Sequence, residues 1–253
     1  MRWVYLSPHF DDVVLSCGGL VWEQVQAGQP VEVWTVCAGA PSPEERLSDF
    51  ALSLHRRWGT GLEAVDIRRQ EDEAALQRLG AQTRYWDLPD CIYRKISGGW
   101  LVNGEEDLWR NVHDDEQPVV DRLVGWMNER LRPDDVLVSP MTLGNHVDHF
   151  LVRAAAERLM GMRQKTGAAR ILYFYADYPY AVQANAMAGK LDAAWQKQCF
   201  PVSEQAVAVW QAAVACYETQ ISTFWGGLEE MRAALATYWQ DGGGTCLWKA
   251  SSW

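Results

Sequence analysis

Residues 3–7 and 31–37 are short runs rich in apolar, β-branched and aromatic side chains, and a helix-like stretch, 13–26, lies between them. That order constrains the fold more than any other feature of the chain. A strand, a helix and a strand joined in this way form a β-α-β unit with a right-handed crossover and two parallel strands. The Ser7 and Cys37 ends then share one edge of a sheet. Open parallel sheets bind ligands outside that carboxyl edge.

The rest of the chain continues the alternation. Amphipathic stretches at 44–58 and 64–79, the second stopped by Gly80 as a C-cap, precede a third strand at 83–86. Residues 98–118 read as an irregular excursion. A helix at 119–131 ends before Arg132-Pro133, and it is followed by a strand at 136–139, a helix at 148–160 and an aromatic strand at 171–175. Residues 203–240 are mostly helical by apolar spacing. The expectation is an α/β fold: a Rossmann-like, mostly parallel sheet flanked by helices, with an elaborated helical C-terminal portion, residues 1–253 forming a single domain.

Apolar residues at 48% and charged residues at 22% are ordinary globular values. A net charge of −10 argues against a nucleic-acid surface. No run approaches the roughly 18 apolar residues of a membrane span, and the start lacks the pattern of a secretory signal, so a cytoplasmic protein is expected. The six scattered cysteines include no Cys-x-x-Cys pair and are expected to be reduced thiols.

Ser7-Pro8-His9-Phe10-Asp11-Asp12 stands where the first strand ends. Adjacent carboxylates repel each other in a folded site unless a cation or a shared proton neutralises them, and a nearby histidine is a natural companion metal ligand. Asn145-His146-Val147-Asp148-His149 follows the strand at 136–139 in the same way. His9, Asp12 and His149 would make a His2Asp set. Three protein ligands with one open position is the pattern of a catalytic zinc site, where the metal acidifies a bound water. Asp11, left unligated, could then act as general base. Spacing alone does not assign ligation to one of His146 and His149 and oxyanion stabilisation to the other. Asp148 is placed to orient a neighbouring imidazole and keep it protonated. Asp11, Asp12 and Asp148 are also the residue type that caps helices. His55, among arginines, and His113, in an acidic loop, read as surface groups. Neither Gly-x-Gly-x-x-Gly nor Gly-x-Ser-x-Gly is present in a matching context.

Ser-Pro-His-Phe-Asp-Asp with a later His-Val-Asp-His resembles the zinc-dependent N-acetylglucosaminyl deacetylases, the PIG-L or LmbE-like family, whose signatures are Ala-His-Pro-Asp-Asp-Glu and His-Pro-Asp-His. Further matches are Arg68-Arg69-Gln70-Glu71 before Leu79-Gly80, Leu88-Pro89-Asp90, Tyr173-Phe174-Tyr175 and Tyr217-Glu218-Thr219-Gln220. The resemblance implies His9, Asp12 and His149 on one zinc ion per chain, with Fe2+ as the alternative metal. It also implies Asp11 as base, His146 as the group that stabilises the oxyanion or protonates the amine, and Arg68 near the substrate. Phe10 replaces the family's proline and Val13 its glutamate, changes expected to bear on the shape of the substrate pocket. No acidic-x-Phe element is found near the C-terminus.

The expected function is hydrolysis of an acyl group, acetyl most often, from the amine of a small amino-sugar conjugate. The partner is the small-molecule substrate, and a homo-oligomer is compatible with the sequence. The rivals are hydrolysis of another amide or ester, on a nucleoside, antibiotic or thiol conjugate, and a non-catalytic, metal-stabilised sugar-binding module.

Overall fold

The computed structural model describes residues 1–42, 44–165, 171–183, 187, 191 and 194–250. Its strands are β1 (Trp3–Ser7), β2 (Val31–Thr35), β3 (Gln82–Tyr85), β4 (Lys95–Ile96), β5 (Gly99–Trp100), β6 (Val136–Pro140), β7 (Ile171–Tyr175), β8 (Trp195–Cys199) and β9 (Cys246–Ala250). The helices are α1 (Asp12–Gln26), α2 (Asp49–Trp58), α3 (Ala64–Leu79), α4 (Gln117–Arg130), α5 (Val147–Lys165), α6 (Glu204–Val214), α7 (Glu218–Phe224) and α8 (Leu228–Gln240). Seven strands form one sheet in the order β3-β2-β1-β6-β7-β9-β8. The first five in that order run parallel, and β9 is antiparallel to both β7 and β8.

Every residue of β1, β2 and β6 is buried, as parallel strands covered on both faces must be. Successive side chains point to opposite faces, so each strand feeds two cores. Trp3, Tyr5, Val33 and Val138 join the core containing the apolar residues of α1, α3, α6 and α8. Val4, Leu6, Trp34 and Leu137 join the one built with α4 and α5. Helix α1 is bent at Cys17, whose φ of −153° is not helical. There the Trp210 indole N–H donates to the Val14 carbonyl at 2.5 Å, diverting a main-chain acceptor from the helix. A Cβ on Gly18 would lie 2.5 Å from the same ring, so the close approach requires glycine.

From β1 the chain moves outward through β2 to β3, then returns past β1 to β6 and β7 on the other side. The order therefore reverses between β1 and β6. Doubly wound sheets open a crevice at the carboxyl ends of the strands at this switch point.

Several expectations are corrected. The C-terminal portion carries two strands besides its three helices, and β9 extends the sheet antiparallel to β7. Helix α2 starts at Asp49, because Ser48 caps it by accepting from the Ala51 N–H at 3.0 Å. The 98–118 excursion holds β5, the second strand of the β4–β5 hairpin, and short 3-10 turns at Glu105–Leu108 and Asp114–Glu116. Cys199 and Cys246 are not free thiols: they face each other directly across β8 and β9 and form a disulfide. His55 is buried rather than superficial, 2.6 Å from the Tyr93 hydroxyl and stacked on Trp58. His113 is at the surface, where its ring accepts from the Asp115 N–H. Among the described residues no helix is long and apolar enough to cross a membrane.

Candidate active site

The loop after β1 carries His9 and Asp11 and leads to Asp12 at the start of α1, and the loop after β6 leads through His146 to Asp148 and His149 at the start of α5. Parallel pairing of β1 with β6 brings the two loops together at the switch point. The second loop is held by two left-handed residues, Thr142 at φ 65° and Asn145 at φ 58°. That conformation costs a β-branched threonine free energy, and such strain often persists where a site over-determines the backbone. A Cβ on Gly144 would fall 2.4 Å from the Tyr180 ring, so glycine lets that ring sit beside the site.

The Asp12 carboxylate lies between two imidazoles, 3.1 Å from His9 Nδ1 and 3.3 Å from His149 Nε2. The two distances end on different oxygens of Asp12, Oδ2 toward His9 and Oδ1 toward His149, and each is close to the donor-to-donor edge of about 3.4 Å of a tetrahedral zinc site with arms of about 2.0–2.1 Å. Each imidazole is also held from behind. His9 Nε2 is 3.1 Å from Asp148 Oδ2, and His149 Nδ1 is 2.6 Å from Asp177 Oδ1. An outer carboxylate on one nitrogen aims the lone pair of the other at the ion and makes it a better ligand. Burial works against charge on His149, but Asp12 and Asp177 raise its pKa to about 10. Burial likewise opposes ionisation of Asp12, but His149 and His9 hold its carboxyl well below the usual range. This cluster demands positive charge.

His146 differs. The Asp148 backbone N–H donates to its Nδ1 at 3.2 Å, which assigns the ring proton to Nε2. Burial, together with charge on His9 and His149, lowers its pKa to about 3, so the ring is neutral and offers Nε2–H as a donor. The nitrogens of His9, His146 and His149 lie within 4.8 Å of one another. Both outer carboxylates turn the other ring nitrogens of His9 and His149 toward Asp12. Sets built on Asp148 with Cys37 or Cys91 also meet that spacing, but the Arg94 guanidinium 2.6 Å from Asp148 repels a second cation there.

Asp148 thus orients an imidazole, but its carboxylate reaches His9 and not His146. The reason is competition: Arg94 at 2.6 Å and the Cys91 N–H at 3.0 Å pull the carboxylate away from the His146 ring. Asp11 sits at the N-cap position of α1 without capping it, so its carboxylate is free for chemistry. Burial raises its pKa, opposed by Arg68, whose Nη2 lies 3.5 Å away. Arg68 also stacks over Trp58 at 4.8 Å.

These groups open into a cavity of about 300 Å3, lined by His9, Asp11, Asp12, Arg68, His146 and His149, by Asp90, Arg57 and Gln220, and by an apolar wall including Trp58, Leu108, Trp109, Tyr180 and Phe224. Phe10 and Val13 do not line it. Phe10 packs against Tyr85 and beside Arg68 and Arg69, so it bears on the cavity through Arg68, which lines it, and Val13 is fully buried in the core. The excursion does supply a rim, with Glu105, Leu108 and Trp109 at the mouth and the Trp109 ring 5.7 Å from His146. Sequence reasoning missed Asp177, Arg94, Glu116 and Trp109. Asp177 carried one signal, an acidic residue just past the carboxyl end of a parallel strand.

A family model described as GlcNAc-PI de-N-acetylase (PIG-L) matches residues 4–160. The 2'-N-acetylparomamine deacetylase of Niallia circulans is 31% identical over 237 residues, covering 88% of this chain and 82% of the relative. The zinc-inhibited form of teicoplanin deacetylase Orf2 superposes with a TM-score of 0.79 at 29% identity, covering 98% of this chain and 97% of that one. The N,N'-diacetylchitobiose deacetylase of Pyrococcus horikoshii, at a TM-score of 0.60 and 14% identity over 99% of this chain and 84% of that one, shares the fold.

Proposed function

The chain belongs to the PIG-L family, and from that premise we propose that it is a metal-dependent N-deacetylase that hydrolyses the amide of an N-acylated amino sugar to a free acid and a free amine. The observation that carries this reading is the pair of outer carboxylates, Asp148 behind His9 and Asp177 behind His149, which aims both imidazoles at Asp12. We assign His9, Asp12 and His149 to a zinc ion, one per chain. When bound, zinc supplies Lewis acidity toward the amide carbonyl and lowers the pKa of a water.

The protein's own groups do the rest. Asp11, its proton affinity raised by burial, takes a proton from the attacking water and passes it to the departing amine nitrogen. His146, neutral and donating through Nε2, stabilises the negative charge that develops on the carbonyl oxygen. Arg68 holds Asp11 from one side and presents its guanidinium to the sugar hydroxyls. Trp58 and Trp109 supply aromatic faces on which a sugar ring can stack. The names of the relatives, a 2'-N-acetylparomamine deacetylase and a teicoplanin deacetylase, support the reading of the substrate as an amino-sugar conjugate of antibiotic type.

The test is acid release from a panel of N-acetylated amino sugars before and after chelation, with wild-type protein and Asp11→Ala. The reading expects zinc-restored turnover in the wild type, and full zinc occupancy with turnover reduced by about 100-fold or more in the variant. Turnover that survives in Asp11→Ala overturns the base assignment.

A further inference from the structure

Asp72 is the most deeply buried carboxyl outside the catalytic cluster that the chemistry above does not use. It lies on α3 with 0% exposure, and no cationic group is within ion-pairing distance among the described residues. Its Oδ1 is 2.7 Å from the Tyr217 hydroxyl, and its Oδ2 is 3.0 Å from the Tyr85 hydroxyl and 3.4 Å from the Thr35 hydroxyl. The Tyr217 hydroxyl is also 2.8 Å from the Phe10 carbonyl oxygen.

A count of protons decides the arrangement. The Tyr217 hydroxyl has one proton and two acceptors in reach, the Phe10 carbonyl and the Asp72 carboxyl, so both contacts are hydrogen bonds only when that proton goes to Phe10 and Asp72 brings one of its own. The 2.7 Å contact with Asp72 then needs a proton from Asp72. An ionised Asp72 would draw the Tyr217 proton to itself, leaving the buried Phe10 carbonyl without this donor, at a cost that such groups avoid.

We infer that Asp72 is a neutral carboxylic acid and a positioning residue: its proton directs the Tyr217 hydroxyl onto the Phe10 carbonyl and so fixes the loop that carries His9 and Asp11 and leads to Asp12. Phe10 stands between a proposed ligand and the proposed base, so a shift of its peptide moves both. Burial raises the Asp72 pKa to about 8, and the Asp11 charge adds to the rise. The groups facing it fit: Tyr217 and Tyr85 are themselves driven up by burial and stay protonated. The nearby cation Arg69 stacks on the Tyr85 ring at 4.7 Å, and Arg68 is turned to Asp11 and Trp58.

The role in turnover rests on the deacetylase reading; the protonation state does not. The experiment therefore has two arms on the zinc-loaded protein. In the first, infrared difference spectra between wild type and Asp72→Asn at pH 7 should contain a protonated-carboxyl stretch that disappears in the variant; absence of that band overturns the inference whether or not a substrate is known. In the second, kcat for acid release is compared in Asp72→Asn, which keeps a neutral donor toward Tyr217, and in Tyr217→Phe, which removes the donor to Phe10. Asp72→Asn should keep kcat within about 3-fold, and its alkaline limb above pH 8 should flatten. Tyr217→Phe should lose about 10-fold in kcat with KM little changed. A loss in Asp72→Asn equal to that in Tyr217→Phe would mean that a carboxylate is required and would overturn the proposal.

Discussion

Arg94 is the cation on which the back of the site depends, and Arg94→Met tests that directly. Its Nη2 lies 2.6 Å from Asp148 and 2.7 Å from Glu116, and its Nη1 donates to the Pro89 carbonyl at 3.0 Å. All three charged side chains are less than a tenth exposed. At an effective dielectric near 20, two charges about 4 Å apart interact by about 4 kcal/mol, before the cost of removing the guanidinium from water. Removing one partner of a buried pair typically costs about 3–5 kcal/mol, because the charge left behind is uncompensated; here two are left. Methionine fills the volume without supplying charge. We expect a loss of about 3–5 kcal/mol in equilibrium urea unfolding at pH 7, with the m-value unchanged, a large share of the 5–15 kcal/mol that holds an ordinary domain together. The sign with pH follows from Asp148. Burial opposes charge on Asp148, but Arg94 and His9 hold its pKa well below the usual range, so the pair stabilises the fold above pH 3.8 and that contribution disappears as pH falls through the depressed value. In the variant both carboxyls take up protons more readily, so the deficit should be largest at neutral pH and shrink toward pH 4. A loss under about 1 kcal/mol, or one that grows toward acid, would refute the reasoning.

Asp177→Asn removes the carboxylate behind His149, and competition with a chromogenic chelator should register zinc affinity about 10- to 100-fold weaker; unchanged affinity would exclude Asp177 from the support of the ion. Trp109→Ala, at a residue 40% exposed on the rim, should lower kcat/KM about 10-fold while leaving the thermal midpoint within a few degrees. Full activity in that variant would remove Trp109 from the substrate face.

The parts of the fold visible in the sequence are those whose residues are buried on both faces. β1, β2 and β6 are continuous apolar runs because helices cover them above and below. β8 reads Trp-Gln-Lys-Gln-Cys and lies at the sheet edge with most of its residues exposed, so no apolar pattern marks it. The site was visible where chemistry concentrates in a short motif, as in His9 to Asp12 and His146 to His149. It was hidden where a lone residue arrives through tertiary packing. Asp177 is one acidic residue after a strand, and Arg94 and Glu116 meet 22 positions apart. Asp72 sits in Arg-Arg-Gln-Glu-Asp-Glu, a run that reads as a solvated helix face, yet helical spacing turns Arg68, Glu71 and Asp72 inward together.

The reversal of strand order between β1 and β6 also fixes how accurately the chain must fold. His9 and Asp12 follow one strand and His149 follows the other, so their spacing depends on the pairing of Trp3 with Val136 and Val4 with Leu137. A slip of one residue along that pairing would displace one loop by about 3.3 Å, as far as the 3.3 Å that separates Asp12 from His149. It would also exchange the side chains of the two cores. The hydrophobic sorting that holds Val4 on one face and Tyr5 on the other is therefore the same constraint that keeps His9, Asp12 and His149 together.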